Sequence, residues 1–405
     1  MLAAPLARLL DHVSLRHPIP ARIVLWDGTD VPLGPDPRVA IRLRDPKAVR
    51  YFMPPSLDAL GDAYVDGAID IDGAARDAIA VVAELASQGT ASMVGKLPHW
   101  ARRHTRQSDR QAIAYHYDVS NAFYQKFLDS RMVYSCAYFR HDDDDLEAAQ
   151  LAKLDHVCRK LRLRPGMRLL DIGCGWGALV IHAAGRYGCK AVGVTLSENQ
   201  RDLAIERVAA AGLADRVEIR LQHYLDIPRE QPFDRIASIG MFEHVGLKHL
   251  GEYFKRIGEL LRPGGMALNH GITSADPDSR SVGLGGGDFI GRHVFPDGEL
   301  PHVALAITEL SRGGLELVDA ESLRRHYGRT LWAWSDRFEE NLDALGELAG
   351  EQRMRIWRAY LAGCAHAFDQ GWINIYQLLV GRPVHRGRLL DIDHPMTRDY
   401  QYVDD

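Results

Sequence analysis

Leu169–Gly177 reads LLDIGCGWG. Leu169, Leu170 and Ile172 flank Asp171, and glycine then recurs at every second position, at Gly173, Gly175 and Gly177. An apolar run that ends in glycines is the pattern of a parallel strand, buried on both faces, breaking into a tight turn. A turn without Cβ atoms lets a ligand press against backbone before the next helix begins. In open α/β sheets, nucleotide-type ligands sit at the carboxyl ends of strands, so the turn predicts a binding site at its tip. The spacing is not the dinucleotide pattern G-x-G-x-x-G, and no Lys-Ser or Lys-Thr follows to make a P-loop. The helix after Gly177 points free N–H groups at that ligand, which suits a carboxylate as well as a phosphate.

Around this turn, apolar runs and helical segments alternate. MRLLDI, KAVGVTL, RVEIRL, DRIASIG and GMALNHGI are the runs, with helices expected over Gln200–Ala211 and Lys248–Leu261. GLELVDAESL and WINIYQLLV add two late strands, and long helical segments lie between Thr330 and Phe368. The alternation predicts an α/β fold with a doubly wound, seven-stranded sheet. The first hundred residues have another texture. ARIVLWDGTDVPLG carries the hairpin signal Asp27-Gly28, VAIRLR alternates, and Leu57–Leu85 shows helical periodicity broken at Asp66-Gly67 and Asp72-Gly73. Residues 1–100 are therefore expected to form a small α+β N-terminal domain, 101–110 a basic linker and 111–405 the main domain. GLGGGDFIG, Gly283–Gly291, is too glycine-rich for an ordinary element and is expected to be a mobile flap.

The chain has 405 residues, enough for two domains. Its 46% hydrophobic and 25% charged content is that of an ordinary globular protein. A net charge of -5 argues against a general nucleic-acid binder. Five scattered cysteines without a C-x-x-C pair read as reduced thiols of a cytoplasmic protein, with neither disulfide frame nor metal site. No apolar stretch is long enough to span a bilayer, so any membrane contact is expected to be peripheral. Trp100–Arg110 joins an aromatic residue to four arginines; it is either a solvated linker or a patch that rests on anionic headgroups.

Candidate site residues gather at strand ends. Asp171 either accepts from an ammonium group or braces the turn. Thr195 tips the second strand, where ribose hydroxyls are commonly held, with Gln200 as its polar partner. Glu198 is displaced to the helix, and Ser197 is a good N-cap. GMFEHVG follows the fourth strand and His270 closes the fifth, so Glu243 and His270 are expected to face one crevice, where a carboxylate and an imidazole can hold or tune an acid/base group. The aromatics of Ala114–Phe139 either pack the core or line a pocket.

The D-x-G-x-G-x-G spacing resembles the first motif of S-adenosylmethionine-dependent methyltransferases. HYDVSNAFYQKFLD, YSCAYF, LDIGCGWG, VGVTLSENQ, DRIASIGMFEHVG and VFPDGELP together resemble the cyclopropane-fatty-acid synthase family, from about His116 to the C-terminus. RLRDPKAVRYF and GDAYVDGAIDIDG resemble the N-terminal domain of its bacterial phospholipid-acting members. The resemblance implies a Rossmann-like class I methyltransferase fold with its last strand antiparallel. It implies methyl transfer from S-adenosylmethionine to a cis alkene of a phospholipid acyl chain, with bicarbonate taking the proton as a cyclopropane ring closes. The runner-up outcome is a methyl-branched or methylene chain, and a third is methyl transfer to another small acceptor.

By the same resemblance, Cys136 and Ile272 hold bicarbonate through backbone N–H groups, and Glu243, His270 and Tyr327 through side chains. Tyr134, Ser135, Asp171, Gly173, Cys174, Gly175, Gly177, Thr195, Leu196 and Gln200 are expected to bind the cofactor. Near the adenine amino group, Gln222-His223 stands where the family often has Gln-Asp, so Gln222, His223 or Asp226 is expected to serve. Gly271 replaces a more familiar Thr and is expected to loosen the wall beside bicarbonate. A homodimer associated peripherally with the inner face of the membrane completes the expectation.

Overall fold

The computed structural model describes residues 18–53, 55–89, 120–279, 286–295, 298–384 and 394–402. The basic stretch 100–110, the HYD at 116–118 and the glycines at 283–285 lie outside the described residues. The chain divides into two units: residues 1–102, 281–296 and 331–370, and residues 103–280, 297–330 and 371–405.

In the first unit, β1 (Ala21–Val24) and β2 (Asp30–Pro32) form the expected hairpin across Asp27-Gly28. β3 (Val39–Leu43) lies parallel to β1, and β4 (Ile69–Asp72) pairs antiparallel with β3. The helical periodicity expected over Leu57–Leu85 is in fact α1 (Leu57–Val65), the strand β4, and α2 (Ala75–Gly89). Each Asp-Gly marks a boundary, and IDID between them alternates with the strand period.

The second unit begins with the single turn α3 (Asn121–Tyr124) and the helix α4 (Leu146–Lys160). There follow β5 (Arg168–Ile172), α5 (Ala178–Tyr187), β6 (Lys190–Thr195), α6 (Glu198–Ala210), β7 (Val217–Leu221), β8 (Phe233–Ile239), α7 (Leu250–Leu260) and β9 (Leu261–Ser274). Next come α8 (Gly286–His293) in the first unit, then α9 (Val303–Arg312) and β10 (Glu316–Ser322) in the second. Helix α10 (Arg324–Glu339) leads into α11 (Leu342–Ala349) and α12 (Glu351–Asp369) of the first unit, and β11 (Ile373–Gly381) returns to the second.

The seven expected strands form one sheet in the order β10-β11-β9-β8-β5-β6-β7. β5 to β9 run parallel, and the last strand in the chain, β11, is antiparallel to both β9 and β10, between which it lies. Neighbouring residues of one strand enter different cores. Leu170 and Ile172 pack with Tyr253, Phe254 and Leu310, whereas Leu169 packs with Val157, Leu179 and Val180. Burial on both faces is why these strands read as continuous apolar runs rather than alternating ones.

The described part of the expected flap is helix α8, not a mobile loop. Phe289 seats against Gly61 so closely that a Cβ there would come within 2.8 Å of its ring. Arg292 pairs with Asp58 and Asp62 at 2.6 and 2.8 Å, and His293 with Asp62 at 2.8 Å. From α12, Arg355 reaches Asp70 at 2.8 Å, and Arg358 holds Glu339 at 2.6 Å and the Tyr64 hydroxyl at 3.1 Å. The α+β module around β1–β4 thus packs with segments from late in the chain.

Candidate active site

The strand β5 ends at Ile172, and the N–H groups of Gly173 and Cys174 both donate to the Val194 carbonyl of β6 at 3.0 Å. Gly173 (φ 80°) and Gly175 (φ 52°) lie in the left-handed region that L side chains rarely adopt. A Cβ on Gly173 would also meet the Met241 sulfur at 2.7 Å, whereas a Cβ on Gly175 would have nothing within 4 Å. Gly177, itself left-handed, is the N-cap of α5, whose first N–H groups are thereby left beside the turn.

This turn forms one wall of a cleft of about 330 Å³. Tyr134, Ser135, Asp171, Gly173, Cys174 and Gly175 line it together with Thr195, Leu196, Gln200, Gln222 and His223. Every expected cofactor residue except Gly177 and the alternative Asp226 therefore meets in one cavity. Thr195 donates to Gln200 Oε1 at 2.8 Å, and Ser197 caps α6 by accepting from the Gln200 N–H. Glu198 is exposed on that helix. Gln222 donates to the Asp226 carbonyl at 2.9 Å; His223 accepts from the Leu225 N–H and stacks on Tyr224, while Asp226 is exposed.

YSCAYF, whose Tyr134 and Ser135 line the cleft, is an irregular segment held from several sides. Val133 N–H donates to Asp129 at 2.7 Å, Gln150 of α4 donates to the Ser135 carbonyl at 2.9 Å, and Ala137 and Phe139 donate to Thr330 and His326 of α10, each at 3.0 Å. Beneath it lies Lys153, 2% exposed, whose ammonium donates to the Ser135 hydroxyl at 3.0 Å and lines the cleft beside Asp171. Burial lowers Lys153 to about 8, against the pull of Asp129, so it is a cation at neutral pH. Burial raises Asp171 to about 7, with Lys153 opposing.

The sequence reading passed over Lys153. The signal was present: Leu146, Ala149, Gln150, Lys153, Leu154 and Val157 make one buried helical stripe in which a lysine is out of place.

The five residues expected to do chemistry do not line this cleft, and the structure joins them in two groups. Glu243 follows β8 in a 3₁₀ turn, 7% exposed, and its Oε1 accepts from the Ile272 N–H at 2.7 Å. That N–H, expected to face an anion directly, is committed to Glu243. His270 pairs in register with Ile239, and its Nδ1 lies 3.4 Å from the Gln377 amide. Cys136 Sγ lies 3.9 Å from the Leu323 carbonyl, which also accepts from the Tyr327 N–H.

Burial pushes the Glu243 carboxyl up to about 7 and the His270 imidazole well below its usual range, so His270 is neutral at pH 7. Burial also pushes the Cys136 thiol up, which leaves it an inert packing group. Among the described residues, Glu243 Oε2 and His270 Nε2 are buried without a hydrogen-bond partner. They are two of fourteen such atoms among the described residues, and they are set apart by standing at the carboxyl ends of the neighbouring strands β8 and β9, where a small polar guest would satisfy them. Gly271 does not loosen the wall: a Cβ there would lie 1.8 Å from Phe242, whose ring fills the space a threonine would need.

Comparison with known proteins agrees with this geometry. Residues 104–378 match the family model for mycolic acid cyclopropane synthetase, and residues 9–92 match a domain of unknown function. The chain is 46% identical over 397 residues to a probable fatty acid methyltransferase of Pseudomonas putida, covering 98% of this chain and 100% of that protein. It is 36% identical over 359 residues to the cyclopropane-fatty-acyl-phospholipid synthase of Escherichia coli K12, covering 86% and 89%. Among solved structures it resembles mycolic acid cyclopropane synthase CmaA1 complexed with SAH and CTAB, with a TM-score of 0.64 at 35% identity over 67% of this chain and 98% of that one.

Proposed function

The chain belongs to the mycolic acid cyclopropane synthetase family of S-adenosylmethionine-dependent methyltransferases, and on that footing we propose that it converts unsaturated acyl chains of membrane phospholipids to cyclopropane chains. The observation that carries this reading is the buried, unpartnered pair Glu243 Oε2 and His270 Nε2. S-adenosylmethionine supplies the methyl group to the cis alkene, and bicarbonate accepts the proton lost from that methyl as the ring closes.

The glycine turn, Tyr134, Ser135, Thr195 and Gln200 would hold the cofactor. Bicarbonate both donates and accepts hydrogen bonds, which matches a set made of a carboxyl poised near neutrality and a neutral imidazole. The Cys136 N–H adds a donor that meets no acceptor among the described residues, and Tyr327 is held to the same segment through Leu323. Ile272 acts indirectly, by fixing Glu243. Both Glu243 and His270 are dry, as a pocket that generates a carbocation must be, because water would capture it.

Among the described residues no helix is long and apolar enough to cross a membrane. In this reading the lipid is met at the membrane surface, with the arginines of 100–110 against anionic headgroups and the enzyme working as a homodimer. The full-length likeness to a fatty acid methyltransferase favours a second outcome, a methyl-branched or methylene chain. Mass spectrometry of lipids from cells expressing the chain separates the two. A gain of one CH2 that resists hydrogenation means a ring; uptake of hydrogen, or a saturated branch, means the second outcome.

A further inference from the structure

We infer that Lys153 is a positioning residue that orients the Ser135 hydroxyl as a hydrogen-bond donor to the carboxylate of the cofactor's amino-acid portion. The inference rests on the S-adenosylmethionine reading of the cleft and assigns one part of it.

An ammonium group carries donors only. With Lys153 Nζ at 3.0 Å, the Ser135 oxygen must accept, and its own hydrogen is turned away from the lysine. Both residues line the cleft, so that hydrogen is offered to whatever occupies it. The segment cannot swing to relieve the arrangement, because Gln150, fully buried one helical turn before Lys153, holds the Ser135 carbonyl at 2.9 Å. A fixed O–H donor backed by a buried cation favours an anionic acceptor. It discriminates against the sulfonium, which the cation repels, and gains nothing special from a ribose hydroxyl. Asp171, on the same cleft wall, offers carboxyl oxygens that can accept from the ammonium group of the same amino-acid portion.

S-adenosylhomocysteine carries the amino-acid portion and 5′-methylthioadenosine lacks it, so their dissociation constants, measured by calorimetry, isolate this contact. Lys153→Met is expected to weaken S-adenosylhomocysteine about tenfold and 5′-methylthioadenosine by less than about twofold. Lys153→Gln, which keeps a donor for Ser135, recovers part of the loss. Equal weakening of both ligands, or of neither, overturns the inference. Should Lys153→Met fail to fold, as seen by circular dichroism, Lys153→Gln combined with Ser135→Ala decides the matter. The double variant should bind S-adenosylhomocysteine no worse than Ser135→Ala alone, and additive losses overturn the coupling. A wild-type protein that binds neither ligand overturns the S-adenosylmethionine reading itself, an outcome distinct from the loss of discrimination between the two.

Discussion

Gly271 and Phe242 share one space, and the residue next to Phe242 is Glu243. Restoring the bulkier side chain therefore has a definite cost. Gly271→Thr must displace the ring, and it is expected to lower stability in urea by about 1–3 kcal/mol and to reduce turnover as Glu243 is carried along. Glu243→Gln behaves differently. It does not line the cofactor cleft, so S-adenosylhomocysteine affinity should stay within about twofold while turnover falls at least about tenfold. Unchanged turnover would remove Glu243 from the chemistry.

The same substitution has a pH signature. The folded carboxyl ionises near 7 against an ordinary value of 4.5, so between these the folded state keeps a proton that the unfolded state has lost. Stability falls as pH rises through that window. The variant should melt above wild type at about pH 8, and the difference should shrink as pH falls toward about 5. At the turn, Gly175→Val adds a side chain where the backbone is left-handed and the nearest space is the cleft, and calorimetry should find no S-adenosylhomocysteine binding.

At the scale of elements, the clamp on YSCAYF is the feature to test. Thr330→Val removes the acceptor of the buried Ala137 N–H and should cost about 1–3 kcal/mol, read from urea unfolding. The elements also show what the sequence could and could not reveal. The seven strands were legible because burial on both faces writes itself as unbroken apolar runs ending at glycines or polar tips. The cofactor residues were legible for the same reason, since strand ends place them. β4 was not legible: four residues between two Asp-Gly pairs are too few to display a period against two flanking helices. Helix α8 was hidden by its run of glycines, and what holds it is tertiary: Phe289 against Gly61 of α1, information that local sequence does not contain. Lys153 escaped because its position in the stripe contradicts its residue type, and only burial resolves the contradiction. The commitment of the Ile272 N–H to Glu243 is a tertiary hydrogen bond that no motif encodes.

At the scale of the whole molecule, the first unit is assembled from three stretches of chain that are distant in sequence. Arg358 binds several of their parts at once, with Glu339 and Tyr64 joined by the carbonyls of Ile71 and Gly73. Arg358→Met leaves Glu339 and those carbonyls without their donor and is expected to lower stability by about 2 kcal/mol or more, measured by thermal melting. The position of β11 has a consequence of another kind. During synthesis β9 and β10 leave the ribosome long before residues 373–381, yet β10 can join the sheet only through β11. Until then the nascent protein presents a naked β9 edge, open to pairing with other chains, and His270 lacks its neighbour Gln377. A chain cut short of that strand would leave β10 without a place in the sheet and His270 without the residue paired to it.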